Sequence, residues 1–180
     1  LKAEIAASLA ALETASGADA SAQRDQLEAM ALAADAVILY AERHAEAAAD
    51  MARRTPDRRR RAELERIAEV CRWVPAHAPR DFWEAVQALW LNHMLIMSDE
   101  NYPGPGVSFG RIDQYLLPFW EASRVRGMNR EFAKEILKCF WIHCNTAYDA
   151  TIRNGHQGIT AGYGQLITLS GMGPAGRDLT

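Results

Sequence analysis

The sequence predicts a mainly helical fold. In residues 1–74, apolar side chains recur at helical spacing among alanines and charged residues, which is the pattern of amphipathic helices. Residues 82–97 and 130–150 are apolar on more than one face, which is typical of buried helices. Residues 165–169 read Gln-Leu-Ile-Thr-Leu among glycines and form one good strand candidate, so we expect a small contribution to a sheet.

The composition excludes several classes of protein. Of the 180 residues, 49% are hydrophobic, which is enough for a sizeable core. The net charge of −3 gives no general attraction to nucleic acid or to anionic membranes. The most apolar window is too short to span a bilayer, and no signal peptide is visible. Three cysteines, an odd count within apolar helical patterns, indicate reduced thiols and a cytoplasmic protein.

The two ends predict a piece of a longer protein. The chain begins at Leu1 and closes at Thr180 in a glycine-rich run. We therefore expect a partial domain that is truncated at both ends. Within it we expect peripheral helices in residues 1–55, buried helices in 56–150 and a glycine-rich strand segment in 154–180.

The first 74 residues predict three helices. The first occupies residues 1–16, and the second runs from about 22 to 52 after a break at 17–21. Thr55-Pro56 predicts the cap and first position of a third helix that ends near Val74. The expected inward positions are Ile5, Leu9, Leu12, Leu27, Met30, Ala34, Val37, Ile38, Ala41, Ala45, Leu64, Ile67, Ala68 and Cys71.

A basic run opens the third helix. Four consecutive arginines at 58–61 join Arg53 and Arg54, and such a run suits a phosphate-binding patch in principle. However, glutamates follow at 63, 65 and 69, and no aromatic residue interleaves with the arginines. The pattern therefore favours a solvated, salt-bridged helix face over nucleic-acid binding.

The buried helix of residues 82–97 begins at a capping pattern. Asp81 and Glu84 have the spacing of a capping box, and the prolines at 75 and 79 end the preceding helix. His93 lies on the apolar face of the predicted helix. We interpret it as a hydrogen-bonded core residue and not as a ligand or a base.

Residues 101–115 connect the two apolar helical blocks. Glycine and proline break the preceding helix and allow a close backbone approach. A polar cluster of Ser108, Arg111, Asp113 and Gln114 follows among apolar and aromatic residues. This composition fits the wall of a buried pocket or a structural corner, and the residues alone leave both open.

A last helix is predicted after this corner. A short apolar piece at 116–120 leads to a turn at Arg126-Gly127, and Asn129 is a good N-cap for a helix to about Ala150. Two neighbouring faces of this helix are expected in the core. They are Phe132, Ile136, Phe140 and His143 on one face, and Ala133, Leu137, Trp141 and Cys144 beside it.

Motifs for nucleotide binding and acid–base catalysis are weak. Gly162-Tyr163-Gly164 precedes the predicted strand, whereas a phosphate-binding glycine loop follows a strand and opens a helix. Ile167 also stands where the third glycine of that fingerprint belongs. Asp99 and Glu100 are neighbours in sequence and point in different directions, which disfavours a general acid–base pair.

A metal site is not predicted either. Cys139 and His143 are four residues apart on a helix and share a face, as chelating ligands do, and Cys144 and His156 are near in sequence. The shared face is the predicted core stripe, so packing is favoured as their role. No cysteine has an obviously electropositive, exposed setting that would make it a nucleophile.

Three ordered blocks resemble the pyruvate formate-lyase-like domain of glycyl radical enzymes. The most specific is the Ser-Phe-Gly-Arg-Ile-Asp-Gln-Tyr run of residues 108–115. The others are Pro-Arg-Asp-Phe-Trp-Glu-Ala-Val-Gln-Ala-Leu-Trp at 79–90 and Gln-Leu-Ile-Thr-Leu-Ser-Gly at 165–171, which leads to Gly-Arg-Asp-Leu-Thr at 176–180. The similarity covers roughly residues 27–180. The run at 108–115 is similar to the dehydratase and decarboxylase branch and not to pyruvate formate-lyase itself.

The resemblance implies a fold and a chemistry. The expected fold is a mostly helical fragment of a ten-stranded α/β barrel that is wrapped in helices and encloses the active site. In that family a glycyl radical oxidises a cysteine to a thiyl radical, which abstracts hydrogen from a small substrate. A C–C, C–O, C–S or C–N bond of the substrate then breaks.

The resemblance also implies that the radical residues lie outside this chain. The Gly-Cys-x-Glu motif and the glycyl loop do not occur in the sequence, and Cys71, Cys139 and Cys144 match no catalytic cysteine. We therefore expect this segment alone to be inactive and to bind no cofactor. The full-length enzyme is expected to carry a protein-based glycyl radical, to need a separate radical-SAM activating enzyme and to be a homodimer.

Two segments are expected at the substrate pocket by the same resemblance. In dehydratase and decarboxylase relatives, the serine that corresponds to the start of the 108–115 run contacts the substrate, which points to Ser108. A local hydrogen bond that shapes the turn is the alternative role. Relatives place a large side chain just before the strand at 165–169, where this chain has Gly164 between Tyr163 and Gln165. Glycine at this place leaves room for a bulkier substrate, or Tyr163 takes over the space.

Arg111 and Asp113 are interpreted as structural, either as a buried pair or as groups that bond the backbone. Arylacetate decarboxylation, isethionate C–S cleavage and diol dehydration all stay open as reactions. A non-enzymatic helical interaction module is the alternative to an enzyme, because the N-terminal half is amphipathic and the chain has no complete catalytic set.

Overall fold

A computed structural model of the chain describes residues 1–13, 17–99, 108–152 and 167–171, without the side chains of 97–99 and 145–152. The predicted mainly helical character is confirmed. Two compact units form, Leu1–Ala68 and Glu69–Thr180. In the described ranges the helices are α1 (Lys2–Ala11), α2 (Ala18–Arg54), α3 (Arg58–Trp73), α4 (Phe82–Asp99), α5 (Ile112–Val125) and α6 (Arg130–Ile152).

Helix α2 is the main element of the first unit. Its buried positions are Ala41, Ala45, Ala48 and Ala52, whose spacing of three and four residues marks one face. Small side chains on that face allow close packing. Met30, which was expected on this stripe, is 39% exposed. Helix α1 packs against α2.

The connection from α2 to α3 corrects the predicted start of α3. Thr55 belongs to the end of α2, because its Oγ donates to the carbonyl oxygen of Met51 at 2.7 Å. The cap of α3 is Asp57, whose Oδ1 accepts the backbone N–H of Arg60 at 2.7 Å. Thr55 was expected to cap α3, and this was wrong because its hydroxyl is used as a donor to the preceding helix.

The arginine run behaves as predicted. Arg59 and Arg60 both lie against Glu63, with N–O distances of 3.4 and 2.9 Å. The Arg61 guanidinium donates to the carbonyl oxygen of Thr55 at 2.9 Å. The interpretation as a solvated, salt-bridged helix face is confirmed.

Helix α4 begins at the predicted cap. Asp81 Oδ1 accepts the N–H of Glu84 at 2.9 Å, which confirms the N-cap. The Glu84 carboxylate is fully buried and accepts both the backbone N–H of Arg80 at 2.7 Å and its Nε at 3.0 Å. The N–H of Phe82 donates to Oγ of the buried Ser123 at 2.8 Å. The start of α4 is therefore tied to α5.

The sequence pattern did not predict helix α5. It begins at Ile112, inside the segment expected to be an irregular corner, and it contains Pro118 in its interior. Ile112 and Leu116 are buried on one side, whereas Pro118 is exposed. Burial of the apolar side therefore outweighs the missing N–H of the proline. The predicted turn after α5 is confirmed, since Gly127 has φ +93° and its N–H donates to the carbonyl oxygen of Arg124 at 3.0 Å.

Helices α4, α5 and α6 enclose the core of the second unit. Asn129 caps α6 as predicted, because its Oδ1 accepts the N–H of Glu131 at 2.7 Å. Phe132 and His143 were expected to face the core, but Phe132 is 44% exposed and His143 is also exposed. The apolar surface of α6 is wider than its buried face. The buried core residues are Phe82, Ala85, Val86, Phe109, Ile112, Leu116, Ala133, Phe140 and Cys144.

The β structure of the described residues is one parallel bridge between Gly110 and Ile167. In the same ranges, no helix combines the length and the apolar character that crossing a membrane requires.

Candidate functional site

The candidate site is built on the segment that precedes α5. Ser108 is exposed, and its Oγ accepts the backbone N–H of Gly110 at 3.2 Å. Gly110 has φ +59°, a left-handed conformation that glycine adopts without steric cost. In this contact the Ser108 hydroxyl oxygen is the acceptor and uses one of its lone pairs.

Phe109 fixes this segment to the core. Its ring is buried and lies 4.5 Å from the ring centre of His93, 5.1 Å from Phe140 and 5.8 Å from Trp141. Its carbonyl oxygen accepts the hydroxyl of Tyr115 at 3.1 Å. The residue between Ser108 and Gly110 is therefore held through its side chain and its backbone.

His93 lies in the core, as predicted. It is 2% exposed, and burial lowers the pKa of its imidazole, because the charged form is poorly solvated there. This environment favours the neutral ring.

Arg111 and Asp113 bind the backbone of one residue, Ser170, which lies 59 and 57 positions later in the chain. Arg111 Nη2 donates to the carbonyl oxygen of Ser170 at 3.0 Å. The N–H of Ser170 donates to Asp113 Oδ2 at 2.6 Å. The other carboxylate oxygen of Asp113 accepts the N–H of Gln114 at 3.0 Å. We call this pair of contacts on Ser170 the Arg111–Asp113 clamp.

A backbone contact joins the same two segments next to the clamp. The N–H of Thr168 donates to the carbonyl oxygen of Gly110 at 2.9 Å, beside the parallel bridge to Ile167. The described end of the predicted strand therefore runs parallel to the start of the corner.

An apolar groove of about 420 Å³ lies beside this junction. Ile167 and Leu169 line one part of it and are 39% and 58% exposed. Its polar lining side chains are Asp113, Arg130 and Lys134. The remaining lining residues are Phe82, Ile112, Leu116, Leu117, Trp120, Ala133, Leu137 and Trp141.

The cysteines divide into two environments. Cys71 and Cys144 are buried, and burial raises the pKa of both thiols, that of Cys144 to about 11. Cys139 is exposed, and so is His143. The expectation that these last two share the core stripe was wrong, because α6 turns their face outward. Among the described side chains, no group of three or more metal-ligating residues comes together.

The structure brings Ser108, Arg111 and Asp113 into one corner. Tyr163, Gly164 and Gln165 lie outside the described residues, as do residues 101–107, Glu100 and His156. Sequence reasoning missed Ser170. The one sign of a turn that the sequence offers there is Gly171, which directly follows Ser170. In the structure, Ser170 and Gly171 take positive φ values of 59° and 90°.

Known proteins are similar to this chain along its whole length. A family model described as pyruvate formate lyase-like matches residues 1–180. Isethionate sulfite-lyase from Nitratidesulfovibrio vulgaris is 38% identical over 183 aligned residues, which cover 100% of this chain and 22% of that protein. The chain thus spans about a fifth of the length of such curated relatives.

Two solved structures have the same local fold. One, from a study of 1,2-propanediol dehydration in Roseburia inulinivorans, matches with a TM-score of 0.85 and 31% identity, over 99% of this chain and 21% of that one. A glycyl radical enzyme from Archaeoglobus fulgidus matches with a TM-score of 0.84 and 36% identity, over 99% and 23% of the two chains.

Proposed function

Because the chain belongs to the pyruvate formate lyase-like family of glycyl radical enzymes, we propose that it is part of a longer glycyl radical lyase. That enzyme removes a leaving group from a small substrate after a hydrogen atom is abstracted. The observation that carries the proposal is the match of the family model to every residue of the chain. The similarity to proteins named for C–S cleavage and for dehydration supports it.

In this proposal the chain supplies a part of the barrel wall. The parallel bridge of Gly110 with Ile167 supports a role as the start of two neighbouring barrel strands. The complete fold is then the ten-stranded α/β barrel that the family resemblance implies. The catalytic cysteine and the radical glycine belong to the rest of the enzyme.

The substrate class follows from what the named compounds share. In isethionate and in 1,2-propanediol, the carbon that bears a hydroxyl group is bonded to the carbon that bears the leaving group. We infer that this enzyme also acts on a small hydroxylated compound of that kind. The thiyl radical takes a hydrogen atom from the hydroxyl-bearing carbon, and the adjacent C–S or C–O bond breaks. The hydroxyl group becomes a carbonyl as it loses its proton, and the hydrogen atom returns to the product, so the elimination is redox-neutral.

Ser108 is the proposed substrate contact within this chain. Its exposure supports the role, since the side chain is accessible while Phe109 next to it is anchored in the core. A serine hydroxyl can donate to a substrate hydroxyl or to an acidic group. Tyr163, Gly164 and Gln165 are proposed to line the same pocket.

The partners belong to the same proposal. A separate radical-SAM enzyme installs the glycyl radical, and the full-length protein acts as a homodimer in the cytoplasm. This segment binds no further cofactor.

The gene provides the first test. Its sequence beyond Thr180 should encode a Gly-Cys-x-Glu motif and a C-terminal glycyl loop. The full-length protein, activated anaerobically by its activating enzyme, should show a glycyl radical by electron paramagnetic resonance. It should then convert isethionate, 1,2-propanediol or a related hydroxylated compound into a carbonyl product. A gene that lacks both motifs would contradict the proposal.

The role of Ser108 is tested in the activated full-length enzyme. Ser108→Ala removes one hydrogen bond to the substrate and should lower kcat/KM roughly tenfold to a hundredfold. Ser21→Ala, which changes an exposed serine on α2, is the matched control and should leave kcat/KM unchanged. Unchanged turnover in Ser108→Ala would remove this residue from the pocket.

A further inference from the structure

We propose that Arg111 and Asp113 are positioning residues, whose clamp on Ser170 fixes where the Ser108 hydroxyl stands relative to the strand segment 167–169. This inference rests on the proposed function, because it gives the substrate-contacting serine its place. It assigns a purpose to Arg111 and Asp113 beyond local stability.

The clamp holds both backbone groups of a single residue. The Ser170 carbonyl oxygen accepts from the Arg111 guanidinium at 3.0 Å, and the Ser170 N–H donates to the Asp113 carboxylate at 2.6 Å. A positive group thus meets the carbonyl and a negative group meets the N–H, which are the favourable charge-assisted arrangements. Two contacts on one residue fix its orientation as well as its distance.

The residue that is held needs external support. Ser170 has φ +59°, which L residues other than glycine rarely adopt. Gly171 follows with φ +90°, and a Cβ built there would lie 3.6 Å from Arg111 Nη2. The chain therefore turns sharply beneath the guanidinium. The clamp stabilises this turn at the end of the strand segment.

A short series of hydrogen bonds connects the turn to Ser108. Two residues before Ser170, the N–H of Thr168 donates to the carbonyl oxygen of Gly110 at 2.9 Å. The N–H of the same Gly110 donates to Ser108 Oγ at 3.2 Å. Gly110 thus binds the strand segment through one backbone group and the hydroxyl through the other. A shift of the turn moves Thr168 and Gly110, and the hydroxyl moves with them.

The core anchor is separate from the clamp. Phe109 is buried among aromatic rings, and its carbonyl oxygen accepts from Tyr115. These contacts hold the corner in the core when the clamp is removed. Loss of the clamp should therefore disturb the alignment of Ser108 more than it disturbs the fold of the helices.

A double-mutant cycle on the activated full-length enzyme tests the inference. Arg111→Ala, Ser108→Ala and their combination are compared with wild type by kcat and KM, normalised to the glycyl radical content. Arg111→Ala alone should lower kcat/KM roughly tenfold to a hundredfold, because misplacement of a contact group weakens its interaction. In the Ser108→Ala background the same change should cost less than about threefold, since the positioned group is already absent.

Matched variants separate positioning from general damage. Arg124→Ala and Glu121→Ala change exposed α5 residues and should leave kcat/KM at the wild-type value. Asp113→Asn keeps an acceptor for the Ser170 N–H and should retain more activity than Asp113→Ala. If Arg111→Ala does not fold, Asp113→Ala, which removes the acceptor of the Ser170 N–H, takes its place in the cycle with Ser108→Ala.

The outcomes are distinguishable. Equal losses from Arg111→Ala in both backgrounds overturn the positioning role and leave the proposed function intact. A Ser108→Ala enzyme with wild-type kinetics overturns both the positioning role and the substrate contact of Ser108, and leaves only the proposed lyase activity. A wild-type enzyme that carries no glycyl radical after activation overturns the proposed function, and this inference falls with it.

Discussion

Arg111 donates from its guanidinium to the carbonyl oxygen of Ser170, a residue 59 positions later in the chain. The two residues belong to the two sequence blocks 108–115 and 165–171. These blocks, which carry much of the family resemblance, therefore contact each other in space. In this junction, side chains of the first block bind the backbone of the second.

Removal of the Asp113 carboxylate should destabilise this junction. Asp113→Ala leaves the Ser170 N–H without its acceptor, which should lower the free energy of unfolding by about 1–3 kcal/mol. Thermal unfolding of the purified full-length protein measures the effect. Asp113→Asn should unfold at a temperature between those of Asp113→Ala and wild type. An Asp113→Ala protein as stable as the Glu121→Ala control would contradict the importance of the contact.

Local features of the fold could be predicted from the sequence. The caps at Asp81 and Asn129 were identified because a short polar side chain precedes an apolar periodic segment, and the structure confirms both. The salt-bridged arginine face was identified because Glu63 lies within reach of Arg59 and Arg60 on the same helix. These signals act over three or four residues, which a single sequence displays directly.

Features that depend on tertiary contact could not be predicted in this way. Helix α5 was missed because Pro118 is a local helix breaker, whereas burial of Ile112 and Leu116 against the core decides the outcome. The exposure of Cys139 was missed because helical periodicity gives a face and does not say which neighbour covers it. The partner of Arg111 lies in a distant segment, so no local pattern indicates it.

The buried carboxylate at the start of α4 should contribute measurably to stability. Glu84 is fully buried and accepts the backbone N–H of Arg80. Glu84→Ala leaves that N–H and the Arg80 side chain without this acceptor and opens space in the core. It should lower the free energy of unfolding by about 1–3 kcal/mol, as thermal unfolding would register.

Two further variants provide comparisons for the stability loss of Glu84→Ala. Glu84→Gln keeps the shape and one acceptor oxygen, so its loss should be smaller than that of Glu84→Ala. Glu121→Ala removes an exposed glutamate and should change stability by less than about 0.5 kcal/mol. If Glu84→Ala behaves like Glu121→Ala, the buried carboxylate and its contacts with Arg80 have no net stabilising role.

His93 should make stability fall in mildly acidic solution. Burial lowers its pKa in the folded state below the ordinary value of 6.5. Above pH 6.5 the imidazole is neutral in both states, and its stabilising contribution is complete. As the pH falls from 6.5 toward the lower folded pKa, the unfolded state binds a proton that the folded state does not, so stability is lost.

Melting temperatures between pH 7.5 and pH 5 measure this dependence. His93→Gln cannot titrate and should therefore lose less stability than wild type over that interval. His77→Gln replaces an exposed histidine and should keep the wild-type dependence. Identical pH profiles for wild type and His93→Gln would show that His93 does not contribute.

The three cysteines should differ in their rates of alkylation. The thiolate is the reactive form, and with a pKa of about 11 only about one Cys144 thiol in a thousand is ionised at pH 8. Cys71 is buried and has a raised pKa as well, whereas Cys139 is exposed on α6. Iodoacetamide at pH 8 should therefore modify Cys139 first in the folded protein, and peptide mass spectrometry identifies the site.

In guanidinium chloride all three cysteines should react, because unfolding removes the burial that protects Cys71 and Cys144. Labelling of Cys144 as fast as Cys139 without denaturant would contradict the packing of α6 against α4.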